Sequence, residues 1–158
     1  MTAAALRRGA AICIATFFGV GRFPVASGTA GSLAALPVVW LIHTHFGAGA
    51  VVVFAAVLLA LGIWASAVYI EISGNDDPSP VVVDEVVGQA IAIAFLPVGP
   101  MEYGLAFIFF RFFDVTKIWP ANWAERRLSG GLAVMLDDVV AGLYAGLVSL
   151  ALLEVIPT

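Results

Sequence analysis

The sequence predicts an all-α integral membrane bundle, and three observations predict it. Hydrophobic residues make up 62% of the 158 positions, against roughly 45–50% in soluble domains even with glycine counted. Charged residues make up 11%, against about 25% in soluble domains, and mean hydropathy is +1.06. The apolar residues fall in long runs near the length a spanning helix needs, with no period-2 alternation of the kind a membrane β-barrel shows. Lipid offers the backbone no hydrogen-bond partners, so helices are the spanning structure that remains. The length fits one membrane-embedded domain, residues 1–158. A single cysteine, Cys13, excludes an internal disulfide or a cysteine-based zinc site. Seven basic residues and a net charge of −4 leave no footprint for nucleic acid. Disordered chains are charged and poorly hydrophobic, so disorder is excluded too.

The elements follow in order. Residues 9–20, after Arg7 and Arg8, read as a short interfacial or re-entrant helix. Arg22, Phe23 and Pro24 follow at once without a small-x-small cleavage site, which argues against a signal peptide. Residues 28–46 contain Pro37, and residues 48–70 carry no charge at all. Residues 81–98 begin with Asp84 and Glu85 and stop near Pro97 and Pro100. Residues 103–118 are aromatic and carry Arg111, Asp114 and Lys117. Residues 132–156 carry Asp137, Asp138 and Glu154. The expectation is about five spanning helices plus the short N-terminal one. Arg22 and the Arg126/Arg127 pair lie in loops on one side, whereas the loops at 43–48 and 97–102 contain no Lys or Arg. The positive-inside rule then makes the arginine loops cytoplasmic.

On that topology the acids converge. Asp84 and Glu85 open one helix from the cytoplasmic side, Asp114 sits near the end of the next, and Asp137 and Asp138 lie in the second turn of the last. Ionisable groups in membrane helices are costly and face the bundle interior or a water-filled cavity. Clustered carboxylates repel one another unless a cation holds them, and hard oxygen ligands suit Mg²⁺. A competing reading makes these acids helix-end charges favoured by the macrodipole. That suits Asp84 and Glu85, but not Asp114 near a helix C-terminus. Adjacent helical residues point about 100° apart, so one member of each pair is expected to ligate while its neighbour orients water or a second metal.

The cations suit an anionic ligand. Arg111, Asp114 and Lys117 are spaced i, i+3, i+6, which places them on one arc of a helix. Arg offers phosphate a bidentate fork and Lys a point charge, while the rival is a salt-bridge ladder among the three. Ser27 to Ser32 opens another helix at the same face, where Thr29 and Ser32 serve either as caps or as phosphate contacts. Cysteine and aspartyl-phosphate nucleophiles lack their motifs here, and His43 and His45 fall on the opposite side. Water activated by a bound metal remains.

Four stretches resemble the phosphatidylglycerophosphatase A family. They are Gly28-Thr29-Ala30-Gly31-Ser32, then Val83-Asp84-Glu85-Val86-Val87-Gly88, then Phe110-Arg111-Phe112-Phe113-Asp114 with Lys117 to Pro120, and Gly130-Gly131 with Leu136-Asp137-Asp138. The resemblance implies a Mg²⁺-dependent bacterial phosphatase of the cytoplasmic (inner) membrane, multi-pass, with its active site facing the cytoplasm. Its lipid substrate would be phosphatidylglycerophosphate and its product phosphatidylglycerol. Which acids bind metal is read from the residues themselves and not from the resemblance: they predict catalytic roles for Asp84, Glu85, Asp114, Asp137 and Asp138, metal ligation among Asp84, Glu85, Asp114 and Asp138, and phosphate binding by Arg111, Lys117, Thr29 and Ser32. The rival function is a small ion-coupled transporter or channel subunit with an intramembrane acidic site. Transporter sites lie at the bilayer midplane, whereas these acids gather at one end.

Overall fold

The structure is a computed structural model that describes residues 2–117, 119 and 129–155. Helices α1 (Ala3–Ala15), α2 (Ser27–Ser73), α3 (Val83–Ile93), α4 (Pro100–Thr116) and α5 (Gly131–Val155) follow one another, with a 3-10 turn at Val20–Arg22 between the first two. Among the described residues there is no strand. Ile118, Pro120 and the Arg126/Arg127 loop lie outside the described residues.

The N-terminal helix starts earlier than its apolar run. The Thr2 hydroxyl accepts from the Ala5 N–H at 3.3 Å and caps it, which takes Arg7 and Arg8 inside a helix expected over residues 9–20. It stops at Thr16, after which Phe17, Phe18 and Gly19 all have positive φ. Only Ala11 and Ala15 of its residues are buried.

Helix α2 contains the two expected apolar runs, 28–46 and 48–70, joined at Gly47. Gly47 has φ 80° and ψ 176°, a conformation open to glycine and nearly closed to residues with a Cβ. The chain doubles back there, because Ala35 from before the break packs in the same cluster as Leu58 from after it. Val39 and Val51 pair likewise in a second cluster. This helical hairpin is the largest apolar unit in the chain.

Two helices, Ser27–Ser73 and Gly131–Val155, are long and apolar enough to cross a membrane. Helix α3 is shorter than its apolar run of 81–98. Its 11 residues rise only about 16 Å at 1.5 Å each, well short of a hydrocarbon core of about 30 Å. Pro97 and Pro100 close that run, and residues 96–99 lie outside any helix, as the missing N–H and the restricted preceding residue require. Helix α3 compensates by central placement. Val83, Val86, Val87, Gly88, Gln89 and Ala90 are all buried, between the α2 hairpin and α5.

Small residues bring α3 and α5 together. A Cβ on Gly142 would collide with the Gly88 carbonyl oxygen, and one on Gly88 with the Asp138 carbonyl and the Phe110 ring. The start of α3 is tied down from three sides. The Val82 N–H donates to the Ala15 carbonyl at 2.9 Å, the Ser27 hydroxyl to the Ser79 carbonyl at 2.7 Å, and Gly31 lies directly against Val82. Asp84 and Glu85 are therefore presented from a fixed backbone.

Candidate active site

Three helix ends meet where the acids are. Glu85 and Asp84 lie in the first turn of α3, Asp114 in the last turn of α4, and Asp138 in the second turn of α5. One carboxylate oxygen from each of Asp84, Glu85 and Asp138 lies within 4.8 Å of the others. Asp138 is buried and the other two are half-buried. Each adjacent pair uses its first member in the same way. The Glu85 N–H donates to Asp84 Oδ1 at 3.1 Å, and the Asp138 N–H donates to Asp137 Oδ1 at 3.1 Å.

Two full negative charges about 4 Å apart repel by about 4 kcal/mol at an effective dielectric of about 20. Three such groups together need either a compensating cation or a proton. The cations Arg111 on α4 and Lys117 just after it are engaged with other acids. Arg111 pairs with Asp114 at 2.5 Å and reaches the Ser32 hydroxyl at 3.4 Å. Lys117 pairs with Asp137 at 3.2 Å. Glu85 Oε2 is buried with no hydrogen-bond partner among the described residues. An all-carboxylate donor set fits a hard divalent cation such as Mg²⁺.

The expected arc on α4 forms only in part. Arg111 and Asp114 pair as i, i+3 neighbours, but α4 ends at Thr116 and Lys117 takes a left-handed conformation, φ 44°. That turn takes Lys117 off the arc and across to Asp137 on α5. Asp137 accordingly stands apart from the Asp84, Glu85 and Asp138 group. Asp114 is held by Arg111, with its charge still in reach of Glu85 and Asp138. Ser32 is buried, donates to the Gly28 carbonyl at 3.0 Å and accepts from Arg111. Thr29 is half-buried on the first turn of α2, and no hydrogen bond links it to the acids among the described residues.

Sequence reasoning missed three features. Asp76 and Asp77, in the turn between α2 and α3, line a cavity of about 310 Å³ together with Asp84, Lys117, Gly130 and Asp137. An acidic pair before a proline reads as a solvated turn, so nothing local marked it. Gly28 is the second. A Cβ there would collide with Glu85 Oε1, so its lack of a side chain is what lets α2 approach the acid. Gln89, the third, is fully buried, and its sequence context is plain apolar helix.

The structure thus combines two helices long and apolar enough to cross a membrane with three convergent carboxylates of a kind that could hold a metal ion, beside a polar cavity. The chain belongs to the phosphatidylglycerophosphatase A family, whose sequence pattern matches residues 13–153. It is 33% identical to phosphatidylglycerophosphatase A of Escherichia coli over 84% of this chain and 77% of that protein. It is 34% identical to phosphatidylglycerophosphatase A of Haemophilus influenzae over 88% of this chain and 86% of that protein. A Bacteroides thetaiotaomicron protein, provisionally named a phosphatidylinositol-3-phosphatase, is 39% identical over 85% of this chain and 87% of its own length. No solved structure matches the chain.

Proposed function

We propose that this chain hydrolyses phosphatidylglycerophosphate to phosphatidylglycerol and inorganic phosphate, using Mg²⁺ held by Asp84, Glu85 and Asp138 with Asp114 beside them. The observation that carries the reading is the group of three carboxylate oxygens within 4.8 Å, next to a cavity that also holds a lysine, in a chain of a phosphatase family. Bound Mg²⁺ would supply Lewis acidity toward a phosphoryl oxygen and would lower the pKa of a water.

The protein's own groups account for the rest. Arg111 spends part of one guanidinium edge on Asp114 and Ser32, which aims the remaining N–H donors and leaves a fork for two phosphate oxygens. Asp137, on the cavity wall, accepts a proton from the attacking water. Water oxygen bonds to phosphorus, the bond from phosphorus to the glycerol oxygen breaks, and that oxygen takes up a proton from solvent as the lipid alcohol leaves, while Asp137 returns its proton to solvent. Lys117, paired with Asp137, balances the charge that develops on the leaving oxygen. Thr29 lies in the first turn of α2, where free N–H groups favour an anion, and Ser32 would act on the phosphate through Arg111.

The topology that suits this chemistry is multi-pass in the bacterial inner membrane, with five crossings and the acids facing the cytoplasm. The two arms of α2, then α3 with the turns and bends of residues 94–99 after it, then α4 and α5 would make the crossings. Support comes from the far end of the bundle, where His43 Nδ1 lies 3.1 Å from the Tyr103 hydroxyl. That contact joins the end of the first arm of α2 to the start of α4. The transporter reading is the weaker one, because the acids sit at helix ends and not at mid-helix.

The test is phosphate release by purified protein from phosphatidylglycerophosphate, with and without Mg²⁺, beside phosphatidylinositol-3-phosphate and phosphatidic acid. Release is expected from the first lipid, lost in chelator and restored by Mg²⁺. Full turnover in excess chelator would sink the metal reading, and preference for another of the lipids would sink the substrate.

A further inference from the structure

Three polar atoms on one face of α3 have no partner among the described residues. They are Glu85 Oε2 and both amide atoms of Gln89, Nε2 and Oε1. Gln89 is 0% exposed, and it follows Glu85 by four residues. Side chains at i and i+4 are neighbours on a helix surface, their Cβ atoms about 6 Å apart. A buried donor or acceptor left bare costs about 1–3 kcal/mol, and the amide has no packing role that leucine or methionine would not serve better. The three bare atoms are two acceptor oxygens and one amide nitrogen that carries two N–H donors. A single water meets both oxygens and one of those N–H groups, with two donated hydrogen bonds and one accepted, and about three hydrogen bonds are typical of a buried water.

We propose that Gln89 is a positioning residue for Glu85, holding Oε2 through one buried water. The water donates to Glu85 Oε2 and to Gln89 Oε1 and accepts from Gln89 Nε2–H. This fixes the carboxylate plane so that its other oxygen turns toward Gly28, where the backbone of α2 lies against Oε1. Glu85 is then a ligand of one orientation and not a rotor. Outer partners of this kind tune metal ligands, and their loss costs about 10–100-fold in metal affinity or activity. The inference rests on the reading of Asp84, Glu85 and Asp138 as a cation site.

The experiment is a double-mutant cycle read by binding of Mn²⁺ alone, followed by electron paramagnetic resonance without any lipid. Gln89→Leu is expected to weaken Mn²⁺ binding about 10-fold in the parent protein and to change nothing further in Glu85→Gln. Melting of the metal-free protein is expected to change little, since the hydrogen bonds lost with the amide are offset by the burial of an apolar side chain of similar size. Gln89→Met, which keeps the length of the side chain, should reproduce the result if the leucine variant does not fold. Unchanged Mn²⁺ affinity in Gln89→Leu or Gln89→Met, with Glu85→Gln clearly weakened, overturns the role of Gln89. So does an equal loss in both backgrounds. If Glu85→Gln itself binds Mn²⁺ as the parent does, the underlying cation site fails as well.

Discussion

Arg111 stands between an acid that neutralises it and a hydroxyl that aims it. If its pairing with Asp114 were only a helix-surface ion pair, a change to lysine would keep the charge and cost at most about 1 kcal/mol. Lysine cannot fork, so Arg111→Lys is instead expected to lower kcat/KM on phosphatidylglycerophosphate by about 10²-fold, the scale for a lost donor to developing charge. Its melting temperature and Mn²⁺ affinity should stay near those of the parent. An unchanged rate in folded protein would remove Arg111 from the phosphate. Asp138 is the most buried of the acids near the site and its neighbours are acids on other helices. Asp138→Asn should lose at least about 10²-fold in rate, as expected for a positioned catalytic group. It should also bind Mn²⁺ more weakly, and a loss of rate with full Mn²⁺ affinity would assign Asp138 to proton transfer and not to the metal.

Between elements, the distance from α3 to α5 decides whether the carboxylates can share one cation. That distance is set by two glycines facing each other, Gly88 and Gly142. Gly142→Ala would push its Cβ into the Gly88 carbonyl, an overpacking that costs about 1–3 kcal/mol. It should lower the melting temperature and weaken Mn²⁺ binding together, because the helix that carries Asp138 must shift. Gly104 on α4 is the control, since a Cβ there meets nothing within 4 Å. Gly104→Ala should be neutral or stabilising by up to about 1 kcal/mol from helix propensity. If both variants melt alike, the glycine contact is not what holds α3 to α5.

At the scale of the molecule, orientation is the property to test. Cys13 is an exposed free thiol and must first be replaced. A cysteine at Ser79 or Ser129, both exposed, is expected to label from the cytoplasm. One at Gly49, where a Cβ meets nothing within 4 Å, is expected to label from outside. Gly47 itself is a poor probe site because its φ of 80° strains any other residue. Labelling of Ser129→Cys from outside and of Gly49→Cys from the cytoplasm would reverse the orientation and turn the acids away from cytoplasmic substrate.

The amino-acid sequence alone determined that this is an all-helical chain with apolar stretches of membrane length, that its longest apolar stretch breaks near residue 47, and that its acids gather at one end. Each of those rests on local signals: composition, run length, a glycine between apolar runs, and charges at run ends. It also carried four motifs whose order names the family. What only the tertiary structure decided is which acid stands with which. Asp84, Glu85 and Asp138 meet because α3 and α5 touch through glycines, a contact between residues 54 positions apart. Lys117 turns to Asp137 because α4 ends one residue earlier, in a left-handed cap that no helical arc anticipates. Asp76 and Asp77 join the cavity wall, and Gln89 is buried beside Glu85, for the same reason. Side-chain partners across helices depend on packing distance and helix ends, and neither is written in the periodicity of a single segment.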